Sequence, residues 1–172
     1  MLALLAAGSG TPPLSYRRAA AFSISRLLAE ESKNRKESLG ILLPRIHQPF
    51  LQVTELPPRG DGPEPKQLGT VDCISTLQTL LINTDPSPAL LSTVFTPAAS
   101  ALYAILGCLD SKKTTDPALK ETIRGLLGTW SRIVSAQEVE EVFWGIIEGE
   151  GGYWNVDIAG EVARTERYSF TM

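Results

Sequence analysis

The chain has 172 residues and a mass of 18.6 kDa, with 43% hydrophobic and 20% charged residues, a mean hydropathy of +0.01 and a net charge of -3. That length suffices for one domain or a short repeat array with a real core. The chain is too short for a two-domain enzyme, and the balance excludes disorder throughout and a strongly basic nucleic-acid binder, so no direct contact with nucleic acid is expected. Cys73 and Cys108 stand alone without a C-x-x-C pair, which argues for reduced thiols rather than a disulfide scaffold or a zinc knuckle.

Residues 1 to 7 are apolar but lack a basic flank and give way to Gly8-Ser9-Gly10, so they read as a frayed helix end rather than a signal peptide. From Ser15 to Glu31, Tyr16, Ala20, Ile24, Leu27 and Leu28 recur at helical spacing. A second set, Leu39, Leu42, Leu43, Ile46, Phe50 and Val53, has the same period but contains Pro44 and Pro49, which predict a kinked helix or two short ones. Residues 56 to 66 hold four prolines and two glycines and read as a solvated loop.

Beyond the loop, Val71, Ile74, Leu77 and Leu81 form another stripe, ended at Asn83-Thr84-Asp85-Pro86. Ser87 and Pro88 start a short helix by N-cap chemistry, and Thr96-Pro97 reads as a repeat of it. The 24 residues from Pro86 to Leu109 carry no charge. Their three prolines and several hydroxyls favour two buried helices joined at Thr96-Pro97 over a membrane span. Asp116-Pro117 opens the clearest helix, with Leu119, Ile123, Leu126, Leu127, Trp130, Ile133 and Val134 on its stripe and Trp130 at the centre. Ser135-Ala-Gln-Glu138 has the form of a capping box, in which the glutamate turns back to the Ser135 amide. It opens a helix bearing Val139, Val142, Phe143, Ile146 and Ile147 that Gly149 to Gly152 ends.

The starts Asp85-Pro86 and Asp116-Pro117 are 31 residues apart, a spacing seen in arrays of helical hairpins. Six or seven helices with short links and no convincing strand predict an all-α fold of antiparallel helical hairpins. The expected organisation is N-terminal helices over 1–54, a Pro/Gly-rich loop over 55–69, the main helical segment over 70–160 and a tail over 161–172.

Chemistry is sparse. His47, the one histidine, lies in an apolar segment and reads as a packed residue. No nucleophile elbow, metal helix or phosphate loop is present, so no enzyme, cofactor or metal site is expected. Glu138, Glu140, Glu141, Glu148 and Glu150 form an acidic cluster with no lysine or arginine between Arg132 and Arg164, read as a solvated face. Residues 1 to 66 carry nine basic and six acidic side chains, net +3, and 67 to 172 carry seven and thirteen, net -6. Such a split places opposite potentials at the two ends of an array. Tyr153 and Trp154, after two glycines, are the aromatic residues expected to be exposed, whereas Trp130 and Trp144 lie on apolar stripes and are expected in the core. The candidate partner-binding residues are therefore Glu140, Glu141, Tyr153, Trp154, Lys112 and Lys113, and Asp85, Pro86, Asp116, Pro117 and Trp130 are assigned structural roles.

Three stretches carry a resemblance: Leu80-Leu-Ile-Asn-Thr-Asp-Pro-Ser-Pro88, Phe95-Thr-Pro-Ala-Ala-Ser-Ala-Leu-Tyr103, and the Asp116-Pro-Ala-Leu-Lys-Glu helix that ends in Gly128-Thr-Trp130. With Gly149-Glu-Gly-Gly-Tyr-Trp-Asn-Val-Asp-Ile-Ala-Gly160, they resemble the fungal family of the factor required for nuclear transport of RNA polymerase II. Its animal relatives are the transport and Golgi organisation protein six family. The resemblance spans roughly residues 15 to 166 and implies a HEAT/armadillo-like α-solenoid segment, cut from a longer protein. It implies an adaptor linking RNA polymerase II subunits to nucleoporins or assembly factors, in the cytoplasm with shuttling to the nucleus, and no catalytic residues. The animal branch implies an alternative, a membrane-associated component of secretion.

Overall fold

A computed structural model describes residues 12–28, 33, 35–51, 68–112, 116–157 and 160–166. Within them lie seven helices and one small hairpin: α1 (Leu14–Leu28), α2 (Arg35–Leu51), α3 (Thr70–Asn83), α4 (Pro88–Val94), α5 (Thr96–Ser111), α6 (Pro117–Ile133), α7 (Ala136–Glu148), β1 (Tyr153–Val156) and β2 (Val162–Thr165). The predominantly helical architecture follows the apolar stripes. The apolar start at residues 1 to 7, the Pro/Gly-rich loop at 56 to 66 and Lys113 lie outside the described residues.

The helices pack in two rows. In one, α1 packs on α3 and α3 on α6; in the other, α2 packs on α5 and α5 on α7. Helix α5 is the hub, touching α2, α4, α6, α7 and β1. It suits that position because Ala98, Ala99 and Ala101 are buried beside Leu102, Ile105 and Leu109, so neighbouring backbones approach closely on its small side chains. Helix α3 contributes Cys73, Ile74, Leu77 and Leu80 to the same core. Two of its buried threonines are satisfied by back-bonding, Thr76 Oγ1 to Asp72 O and Thr79 Oγ1 to Ser75 O, both at 2.8 Å.

Local side-chain chemistry caps three of the described helices, α4, α6 and α7. Ser87 Oγ accepts from the Leu90 amide at 3.2 Å and Asp116 Oδ1 from the Ala118 amide at 2.8 Å. Pro88 and Pro117 follow at the first helical positions. Asp85 and Pro86 are exposed and precede the cap, so the two Asp-Pro pairs are not equivalent starts. Thr96 is not a cap either: Phe95 occupies that position, and the Thr96 hydroxyl is used in tertiary bonding. Helices α4 and α5 meet at a bend of 63°. Their apolar side chains Leu91, Val94, Leu102, Ile105 and Leu109 are buried in the core.

Two expectations are corrected, in the first case only the alternative of two short helices around Pro44 and Pro49. Helix α2 runs as one element through both Pro44 and Pro49. Pro49 has no amide for the carbonyl four residues back, and that carbonyl, Arg45 O, receives the Cys73 thiol at 3.8 Å instead. The second correction is the strand pair, where a loop and a tail from residue 161 were expected. β1 and β2 are antiparallel in the register Tyr153↔Thr165, Trp154↔Arg164, Asn155↔Ala163 and Val156↔Val162. Gly160, at a φ of 85°, takes the left-handed backbone needed in the short connection.

This hairpin straps the late part of the chain to the early part. The Arg164 guanidinium donates to Phe50 O at 2.6 Å, placing a cation at the C-terminal end of α2. Lys112 Nζ donates to Asn155 Oδ1 at 2.7 Å and to Val156 O at 2.6 Å, tying β1 to the end of α5. The turn leading into the hairpin lies hard on α5. A Cβ at Gly151 would come within 2.6 Å of Ser100 O, so only glycine lets the chain cross there.

Candidate functional site

Three titratable groups of the kinds that chemistry uses are consumed by the fold. His47 is 5% exposed on α2, and its Nε2 lies 2.7 Å from Val94 O at the end of α4. A carbonyl only accepts, so the neutral ring carries its proton on Nε2 and satisfies the carbonyl left open where α4 bends into α5. Burial lowers the His47 pKa from its usual 6.5, against an opposing contribution from the Val94 hydrogen bond. The unfolded chain therefore binds this proton more readily than the folded one. Stability from this group is fully present above pH 6.5 and is lost as the pH falls towards the lower folded pKa. Chemical denaturation between pH 7 and 5 should show that decline, at a slope of up to about 1.4 kcal/mol per pH unit, and His47→Gln should flatten it. A wild-type midpoint that stays level over this range would refute the assignment.

Cys73 is buried, and desolvation, with Asp72 nearby, pushes its thiol up to about 12, so it is an inert core residue. The third group is Glu138. Ser92 Oγ donates to its Oε2 at 2.7 Å and Thr96 Oγ1 donates to its Oε1, while Thr96 Oγ1 accepts from Trp130 Nε1 at 2.9 Å. The carboxylate thus joins α4, α5, α6 and α7. Ser135 does cap α7, accepting from the Glu138 amide at 3.2 Å, but the reciprocal half of the predicted capping box is replaced by this network.

The surface of α7 is different. The helix carries two apolar stripes. Val139, Val142 and Ile146 are partly buried, and Val139 and Val142 pack against the core. Phe143, Trp144 and Ile147 are 46%, 58% and 72% exposed. Tyr103 of α5 extends this second stripe, its ring meeting Phe143 edge-on with centroids 6.1 Å apart. Glu140 and Glu141 are exposed on the same helix, with Gln137 Nε2 donating to Glu141 Oε1 at 3.0 Å, and Glu148 is exposed at its end. The result is an aromatic and aliphatic face beside acidic side chains, the composition of an interface centre.

The structure redistributes the aromatic residues expected at the surface. Trp130 is buried as expected, but Trp144, expected in the core, is exposed. The physical reason is that α7 packs on α5 along one stripe, and no described element lies over the other. Tyr153 is 50% exposed. Trp154 is half-buried against the core, with its Nε1 donating to Gly151 O at 2.8 Å. Lys112 makes the hairpin contacts given above. The face therefore brings together Glu140 and Glu141 with Phe143, Trp144, Ile147 and Tyr103, which were not among the predicted site residues. A signal for them existed, because the apolar residues of α7 fill more of the helical wheel than one neighbour can cover.

Among the described residues, no group of three His, Cys, Asp or Glu is arranged to hold a metal ion. No single helix there is long and apolar enough to cross a membrane. No family model, curated protein or solved structure matches the chain.

Proposed function

We propose that the chain is a non-enzymatic helical-repeat adaptor that binds other proteins, in support of nuclear import and assembly of RNA polymerase II. The observation that carries the binding role is the exposed face of Tyr103, Phe143, Trp144 and Ile147 beside Glu140 and Glu141. Tryptophan and tyrosine dominate the energetics of protein interfaces, and a contiguous apolar face has no solubility advantage for a protein that uses it for nothing. The two-row packing of helix pairs supports reading the chain as a segment of a HEAT/armadillo-like array, in which each pair buries its stripe on the next. The polymerase as partner rests on the resemblance of residues 80–130 and 149–160 to the fungal transport factors.

The secretory alternative draws on the uncharged stretch from Pro86 to Leu109; Leu91, Val94, Phe95, Leu102, Ile105 and Leu109 of that stretch are buried in the core, which favours the adaptor reading. The test is capture of purified RNA polymerase II by the immobilised chain. Binding that falls at least tenfold, about 1.4 kcal/mol, in Trp144→Ser is the expected result. Failure to retain any polymerase subunit would overturn the partner, and capture unchanged by Trp144→Ser would overturn the face.

A further inference from the structure

The two ends of the helix stack differ in both shape and charge. At the α7 end, Phe143, Trp144 and Ile147 project among Glu140, Glu141 and Glu148. At the α1 end, α1, the end of α3 and the start of α4 border an open groove of about 870 Å³. Phe22, Ile82 and Leu90 supply its apolar lining, Arg18 and Arg26 its positive charge, and Asp85 a single carboxylate. Phe22 is 60% and Ile82 71% exposed, so this groove too presents apolar surface to solvent. The charge split along the sequence, net +3 over 1 to 66 and net -6 over 67 to 172, has the same polarity.

We infer that the α7 face of one copy seats in the α1/α3 groove of a second copy, so that the chain associates head to tail. Projecting aromatic side chains enter a groove lined by Phe22 and Ile82, and the acidic residues beside them meet Arg18 and Arg26. Like ends repel, whereas unlike ends are complementary in charge, which selects the head-to-tail arrangement over a symmetric dimer. Such a contact uses different surfaces on the two copies and leaves one of each free, so it propagates rather than closing at two. Its electrostatic part weakens as salt rises, because exposed charges are screened within about 10 Å at 0.1 M ionic strength. The inference rests on the same α7 face as the proposed function, and it makes self-association a competitor of the protein partner.

Sedimentation velocity on the purified full chain, without any other protein, tests it. The average mass should rise with concentration and more steeply at low salt. Glu140→Lys with Glu141→Lys, and separately Arg18→Glu with Arg26→Glu, should each weaken association by at least about tenfold. All four positions are exposed, and a far-ultraviolet spectrum verifies that the variants remain helical. Mixing the two charge-reversed variants should restore association, since each supplies the intact surface that the other lacks. A wild-type chain that stays monomeric at every concentration overturns the inference, as does a dimer that survives both charge reversals or a mixture that stays monomeric. Because no polymerase is present, such a failure leaves the capture result standing, and loss of capture with self-association intact refutes only the partner.

Discussion

Trp130→Ala should destabilise the chain by about 3–5 kcal/mol, the range for removing a buried tryptophan. Trp130 is 4% exposed at the centre of the α6 stripe, between Ile123, Leu126 and Val134, all buried. The substitution removes the largest side chain of that stripe and takes away the indole donor that Thr96 Oγ1 accepts. A domain of this size has a total stability of roughly 5–15 kcal/mol, so the variant should unfold at markedly lower urea with an unchanged slope. Trp130→Phe restores most of the volume but not the donor, and its smaller loss would separate packing from hydrogen bonding. A change near zero for the alanine variant would contradict the burial of this face.

Glu138→Ala should cost roughly 2–4 kcal/mol, because two hydroxyl donors, Ser92 and Thr96, lose a charged acceptor. Glu141→Ala, three residues on in the same acidic run, should stay within about 0.5 kcal/mol, as expected of an exposed side chain held only by Gln137. Equilibrium denaturation of the two variants side by side decides the matter. Equal losses would mean that the network joining α4, α5, α6 and α7 does not carry stability. The contrast also bears on function, because Glu138 belongs to the core network and Glu140, Glu141, Glu148 and Glu150 are the exposed members of the cluster left for a partner.

That split of one acidic run into two roles shows where a sequence reading stops. In the chain, Glu138, Glu140 and Glu141 are neighbours of the same chemistry. Their fates differ because α7 turns Glu138 towards Ser92 and Thr96, 46 and 42 residues away in sequence. Trp144 makes the same point from the apolar side. Its stripe is as apolar as the partly buried one beside it, and the position of α5 decides which of the two is covered.

By itself the sequence determined the helical character of the chain, the caps at Ser87, Asp116 and Ser135, the stop at Gly149 and the burial of Trp130. These follow from propensities, caps and stripes that act within a turn or two of helix, so short-range patterns suffice to read them. The tertiary structure alone decided the seating of His47 on Val94 O, the Glu138 network, the pairing of Tyr153–Val156 with Val162–Thr165, and the exposure of the α7 face. Each depends on a partner that lies far away in the chain or on the lack of a covering element. The Arg164 bond to Phe50 O, across 114 residues, is the extreme case, since no periodicity in the sequence encodes which helix end that arginine will meet.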